Sequence, residues 1–204
     1  MNQIEALRRL QNLGTAVFET RDAIALLAVS PTNATVILRR LAREGQLTHL
    51  SRGRWLIADK ISRFALPELI SAPYPSYVSM QSALFSHGLI EQIPAVVYAA
   101  TLSRSRRVTT PLSVISFHHF PPALFVGFEV DDDGAKLATP EKALFDVLYL
   151  GPARSRLFAR LPELEFPREF RWQQVRDFAQ LVKSSNRKTF IQRRLDEIHR
   201  DSKR

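Results

Sequence analysis

An α+β fold is what this 204-residue chain predicts, on three observations. The first sixty residues combine helix signals with a short basic hairpin. The middle carries apolar runs rich in β-branched and aromatic residues, and the end is a basic stretch with helical periodicity. With 45% hydrophobic and 24% charged residues the composition is that of a chain able to bury a core. The absence of cysteine removes disulfides and thiolate metal sites and fits a reducing compartment. "MNQIEALRRLQNLG" places charges inside its apolar periodicity, so it reads as an amphipathic helix and not as a signal peptide. No stretch approaches the roughly 20 apolar residues of a spanning helix. The expectation is a soluble cytoplasmic protein with no membrane partner.

Taken in order, Ile4, Leu7, Leu10 and Leu13 recur at helical spacing and Gly14 supplies the stop. Thr20 is the expected N-cap of a second helix through Ile24, Leu26 and Leu27. Ser30 before Pro31 starts a third, since Ser caps free N–H groups and Pro at the first helical position loses none; it runs to about Glu44 and ends at Gly45. "QLTHL" and "RWLIA" are two strands joined at Ser51, Arg52 and Gly53. Three helices followed by a hairpin predict a winged helix-turn-helix over residues 1–60. Pro67, Pro73 and Pro75 then interrupt regular structure, which predicts a linker over 61–75. Residues 76–204 are read as a mixed α+β domain with a basic helical segment from about 151. Within it "MQSALFSHG" is a helix closed by Gly88, and "AVVYAAT", "SVISFHHF" and "ALFVGFEV" are strands. "DDDG" is a turn, and "ATPEKALFDVLYLG" is a helix capped by Thr139. From about Arg171 the chain is helical in two segments broken near Ser184–Asn186.

The formal charge of +9 is unevenly placed. Residues 1–60 hold nine Lys/Arg against five Asp/Glu, residues 61–150 six against eight, and residues 151–204 fourteen against seven. Two basic ends therefore flank a slightly acidic middle, and an acidic partner is expected. In the third helix Ala34, Ile37, Leu38 and Leu41 share one side and would pack inward. Thr32, Thr35, Val36, Arg39 and Arg43 lie opposite, with Asn33 and Arg40 on a flank. Small polar residues near the N-terminus and arginines further along suit a helix in the major groove, where the first reach base edges and the second reach bases or phosphates. Arg52 and Arg54, at the hairpin tip, would contact backbone or minor groove. Double-stranded DNA is thus the expected partner.

"SYVSMQSALFSHGLIEQIP" (residues 76–94), "FHHF" and "LATPEKALFDVLYL" (residues 137–150) resemble the AbiEi antitoxin family of abortive-infection systems. In that family a similar winged helix, ending in a motif like "LSRGRWLI" but more often with Tyr at the place of Trp55, precedes such a second domain. The resemblance covers roughly residues 1–150. It implies an antitoxin that represses its own promoter through the winged helix. It also implies a cognate nucleotidyltransferase-like toxin, counteracted through the second domain without the need for stable contact. Many relatives act as lone transcriptional regulators.

Other polar residues invite chemistry but read more simply. Glu141 and Asp146 fit a cap and an ion-pair partner. His118 and His119 are adjacent in a strand and point to opposite faces, which does not suit one metal ion. His87, before Gly88, suits a helix C-terminus. Asp131–Asp133 with Gly134 is a hairpin turn, and Glu129 with that run and Lys136 only faintly matches a metal-dependent nuclease cluster. No Gly-rich phosphate loop, nucleophile elbow or metal-ligand spacing is present, so neither an enzyme nor a cofactor is expected. The rival readings are a stand-alone winged-helix regulator and, further off, that nuclease. Arg187, Lys188, Arg193 and Arg194 form a second basic patch, read either as a phosphate-contacting surface or as an ordinary solvated helix face.

Overall fold

The computed structural model describes residues 2–57, 61–131, 134–153, 158 and 161–202. Among them the chain is mixed α+β, with eight α-helices and two sheets. It divides into two compact units, residues 1–61 with 109–113, and residues 62–108 with 114–204.

In the first unit, α1 (Gln3–Gln11) starts where the Asn2 side chain accepts from the Ile4 amide. A three-residue strand, β1 (Val17–Glu19), leads directly into α2 (Thr20–Leu27). The cap of α2 is Glu19, in a reciprocal capping box with Asp22, and not Thr20 as the sequence predicted. Thr20 is displaced from that task because its hydroxyl serves the hairpin described below. After α2 the chain bends by 108° across Ala28, Val29 and Ser30 into α3 (Pro31–Arg43). Ala28 holds the left-handed conformation at φ 52°, which lets the turn close so sharply. Ser30 caps α3 by accepting from the Asn33 amide, with Pro31 at the first position, as its sequence signals predict.

The hairpin is β2 (Leu47–Ser51) and β3 (Arg54–Ile57), turned at Gly53 with φ 74°. β3 is the central strand of an antiparallel sheet ordered β1-β3-β2. Ala34, Leu38 and Leu41 of α3 are fully buried, and Leu38 and Leu41 join Leu10, Phe18, Leu27, Leu47 and Trp55 in one core. Burying each such leucine contributes on the order of 1.5–3 kcal/mol. α3 is therefore fixed by its apolar stripe, and its opposite face is left to solvent.

The second unit is built on a six-stranded sheet. Its elements are α4 (Leu66–Ser71), β4 (Ser76–Val78), α5 (Met80–Ser86), β5 (Val97–Thr101), β6 (Arg106–Thr109) and β7 (Val114–His119). They continue with β8 (Phe128–Val130), β9 (Lys136–Ala138), α6 (Pro140–Leu150), α7 (Trp172–Gln180) and α8 (Ser185–Asp201). The strand order is β6-β7-β5-β4-β9-β8, with β5/β7 and β4/β9 parallel and β4/β5 and β8/β9 antiparallel. α6 sits at the centre of the helical layer, packed on α5, α7 and α8. Every residue from Glu141 to Leu148 is buried.

Two segments differ from their sequence reading. Residues 61–75, expected as a linker, contain α4, whose Leu66, Pro67, Ile70 and Ser71 are buried. Pro67 lies in the first turn of α4, where a missing N–H costs nothing, so the proline is compatible with a helix after all. "ALFVGFEV" is not one strand. Pro122–Leu124 is a short 3-10 turn and only Phe128–Val130 pairs, because Gly127 at φ 77° breaks the extended run. At the acidic turn, Asp131 accepts from the amides of Gly134 and Ala135; its neighbours Asp132 and Asp133, like Ala58 of "RWLIA", lie outside the described residues. No single helix among the described residues is long and apolar enough to cross a membrane.

Candidate functional site

A cleft of about 720 Å³ lies between α3 and the β2–β3 hairpin. Its lining combines Thr35, Arg39, Ala42 and Arg43 from α3 with His49, Arg52, Gly53 and Trp55 from the hairpin and Thr20 from α2. The helical contributors are spaced i, i+4, i+7 and i+8, which is one face of α3. Arg39, Arg43 and Arg52 are all exposed, and among the described residues no carboxylate lines the cleft. None of these three arginines forms an ion pair among the described residues. Three like charges brought toward one concavity repel one another, and a low-dielectric wall strengthens the field they share. The chemistry that relieves this is an anion, and a polyanion relieves all three at once.

Thr20 and Trp55 hold the hairpin against α2. The Trp55 indole Nε1 donates to the Thr20 hydroxyl at 2.9 Å. That hydroxyl donates onward to the Gly53 carbonyl at 3.3 Å, and the Thr20 amide donates to the same carbonyl at 2.8 Å. His49, opposite Trp55 in the register, lies against its ring at 4.6 Å between centroids. The turn carrying Arg52 is thus fastened to the start of α2 by three hydrogen bonds, and its cation is presented from a fixed base.

The other residues singled out from the sequence divide into two groups. Thr32, Asn33, Val36 and Arg40 are exposed on α3 but do not line the cleft; Val36 is a large apolar side chain left 42% accessible. Thr35 is half-buried, and its hydroxyl donates to the Pro31 carbonyl at 2.9 Å. Arg54 departs from expectation. It pairs with Glu19 on the neighbouring strand at 3.9 Å, is only 29% exposed and does not line the cleft. The cause is strand alternation: Trp55 faces the core, so the residue before it faces the opposite side, where the register sets Glu19 across from it. Arg52, in the turn, escapes that alternation. The sequence reasoning missed Thr20, Ala42, His49 and Trp55; the hairpin pairing of His49 with Trp55 was the available signal for two of them.

In the second unit each of the four tail cations has a local partner. The Arg187 guanidinium lies over the Tyr149 ring at 4.7 Å, and Lys188 donates to the carbonyl and side-chain oxygens of Gln180. Arg193 and Arg194 both pair with Glu197, at 3.4 and 2.8 Å. They do not converge as the cleft arginines do.

The carboxylates and histidines are likewise engaged. Glu141 accepts from the backbone N–H of Arg171 at 3.0 Å and from its Nε at 3.3 Å, which fastens the start of α7. His87 Nε2 bonds the Ala138 carbonyl at 2.8 Å. His118 bonds Ser116 Oγ, and burial pushes its imidazole down to about 4; His119 bonds the Ser103 carbonyl from the other face. Among the described residues no group of three or more His, Cys, Asp or Glu side chains could hold a metal ion. The unforeseen feature is Lys142. Fully buried, its ammonium sits among the rings of Tyr77, Phe120, Phe145 and Phe178 at 4.8–5.7 Å and pairs with Asp146. Asp146 also accepts from Tyr77 Oη at 3.0 Å and Ser79 Oγ at 2.6 Å. Burial pushes the Asp146 carboxyl up and the Lys142 ammonium down, and burial, then Asp146, pushes the Tyr77 phenol up. Fully buried, this cluster ties α6 to β4 and to the start of α5.

No protein-family model matches the chain, and a comparison with curated proteins returns no relative.

Proposed function

We propose that the first unit is a winged helix-turn-helix that binds double-stranded DNA and that the protein represses its own promoter. The observation that carries this reading is the convergence on one cleft of Arg39, Arg43 and Arg52, which among the described residues meet no carboxylate there and form no ion pair. The 108° bend across three residues between α2 and α3 supports it, since helix-turn-helix pairs cross at about 90–120°. In this reading α3 is the recognition helix. Thr32, Asn33, Thr35 and Val36, in its first turns, meet base edges, Val36 through apolar contact with a thymine methyl. Arg39, Arg40 and Arg43 reach bases or phosphates, and Arg52 on the wing holds the backbone or the adjacent minor groove. Arg54, paired with Glu19, braces the wing and takes no DNA contact.

The sequence resemblance extends the proposal: the chain is an AbiEi-type antitoxin that counteracts a nucleotidyltransferase-like toxin through its second unit. A lone regulator is the same reading without the toxin. The nuclease alternative is not favoured by any observation, since Glu141 and Asp131 are engaged in a helix start and a turn.

The test is fluorescence anisotropy with DNA from upstream of the protein's own gene against scrambled DNA, at several salt concentrations. Preference for the upstream DNA that survives near-physiological salt is expected. Weak binding to both that vanishes with salt would refute the repressor.

A further inference from the structure

The second unit contains a groove of about 470 Å³ lined by apolar side chains and by two cations. Pro122, Leu124, Tyr149 and Leu181 supply the apolar lining, and Lys183 and Arg187 the cations. Leu181 is left 44% exposed at its edge, although it is a large aliphatic side chain. Neither Lys183 nor Arg187 pairs with a carboxylate among the described residues. They differ in this from Arg176, Arg193 and Arg194 nearby on α7 and α8, each matched to Asp196 or Glu197.

The site is pre-organised. Tyr149 is held from within by Phe120, with centroids 5.2 Å apart, and Arg187 lies on its ring at 4.7 Å. A guanidinium stacked on a ring keeps its N–H edge in its own plane, free to grip a carboxylate through two parallel hydrogen bonds. The volume falls in the range of small-molecule sites, which are mainly apolar with a few polar groups that fix orientation.

We propose that this groove binds a small organic acid with an apolar body: an aromatic or branched carbon skeleton against Leu124, Tyr149 and Leu181, and a single anionic group between Arg187 and Lys183. Charge complementarity selects the anion, and the limited volume selects a small molecule over a peptide. The inference is independent of the DNA-binding reading, which concerns other residues.

The probe is 1-anilinonaphthalene-8-sulfonate, an apolar anion whose fluorescence rises on burial, with N-phenyl-1-naphthylamine as the nearly isosteric neutral control. The full chain is titrated with each and compared with the double variant Lys183→Gln/Arg187→Gln and the groove-filling variant Ala123→Phe, after thermal unfolding shows each variant folded. Saturable binding of the anion is expected, weakened at least tenfold in the double variant, with the neutral probe unchanged there and both probes excluded by Ala123→Phe. Naphthalene-2-carboxylate, an aromatic body with one carboxylate, should displace the anionic probe. Absence of saturable binding, equal anion affinity in the double variant, or undiminished binding to Ala123→Phe would each overturn the proposal.

Discussion

Arg52 and Arg54 stand two residues apart in the same hairpin, and the proposed DNA reading gives them opposite behaviour, since one lines the cleft and the other pairs with Glu19. Each phosphate contact made by a cation adds about 0.9 to the slope of log affinity against log salt. Over a fourfold rise in salt that is about 3.5-fold in affinity per contact. Arg52, exposed, lines the cleft, so Arg52→Ala should flatten the slope by about one contact and weaken all sequences alike. Arg54 is spent on Glu19, so Arg54→Ala should leave the slope unchanged. The assay is anisotropy with one labelled duplex from about 50 to 200 mM salt, run on wild type and both variants at a fixed temperature. Equal flattening by both variants would show that Arg54 swings out of its pair on binding, and the strand-alternation argument would be wrong. No change with Arg52→Ala would remove the turn from the interface.

Other expectations are independent of DNA. Asp146→Ala strands the buried Lys142 ammonium and should cost about 3–5 kcal/mol in urea unfolding, whereas Lys142→Met/Asp146→Leu should recover most of that loss; a double variant as unstable as the single one would contradict this. His118 has its imidazole pushed down to about 4 from 6.5 by burial, so between those values the unfolded chain takes up a proton that the folded chain refuses. Stability should therefore fall as pH drops from about 6.5 to about 4, by up to about 3 kcal/mol, and His118→Gln should lose that part of the slope; identical slopes would refute it. Ala28→Gly relieves a left-handed alanine and should stabilise the first unit by about 0.5–1 kcal/mol, read from the unfolding midpoint.

How much of this was legible depends on whether an element has two unlike faces. α3 was readable residue by residue because Ala34, Leu38 and Leu41 recur on a stripe and the arginines fall opposite it. α6 has no such contrast. All its residues from Glu141 to Leu148 are buried, so no face of the helix singled out Lys142, which is the hub of an aromatic cage. Of the four rings around Lys142 only Phe145 is local, and nothing in a local window reveals Tyr77, Phe120 and Phe178. β1 and β6 went unseen for a different reason. One is three residues long, and the other is the edge strand "RRVT", too polar to look like a strand. The direction of Arg54 was not read from the sequence, which grouped it with Arg52 at the hairpin tip; period-2 alternation from the buried Trp55 sends it the other way, beside Glu19.

Lack of an ion-pair partner is not by itself what distinguishes the cleft arginines, since Arg8 and Arg107 have none among the described residues either. Those two are exposed and do not line the cleft, and water screens an exposed cation at little cost. Arg39 and Arg43 are one helical turn apart on α3, and Arg52 faces the same concavity from a turn pinned by Thr20 and Trp55. That arrangement restrains the hairpin cation from drifting away from the other two, so the repulsion among them persists in the free protein. Carboxylates do occur close by in sequence, Glu44 beside Arg43 and Glu19 at the start of α2, yet neither lines the cleft. Glu19 is drawn instead to Arg54 and Arg21 on the other side of the sheet. Among the described residues the fold thus uses its local acids on that side and leaves the cleft arginines uncompensated, which is the charge arrangement the proposed DNA contact requires.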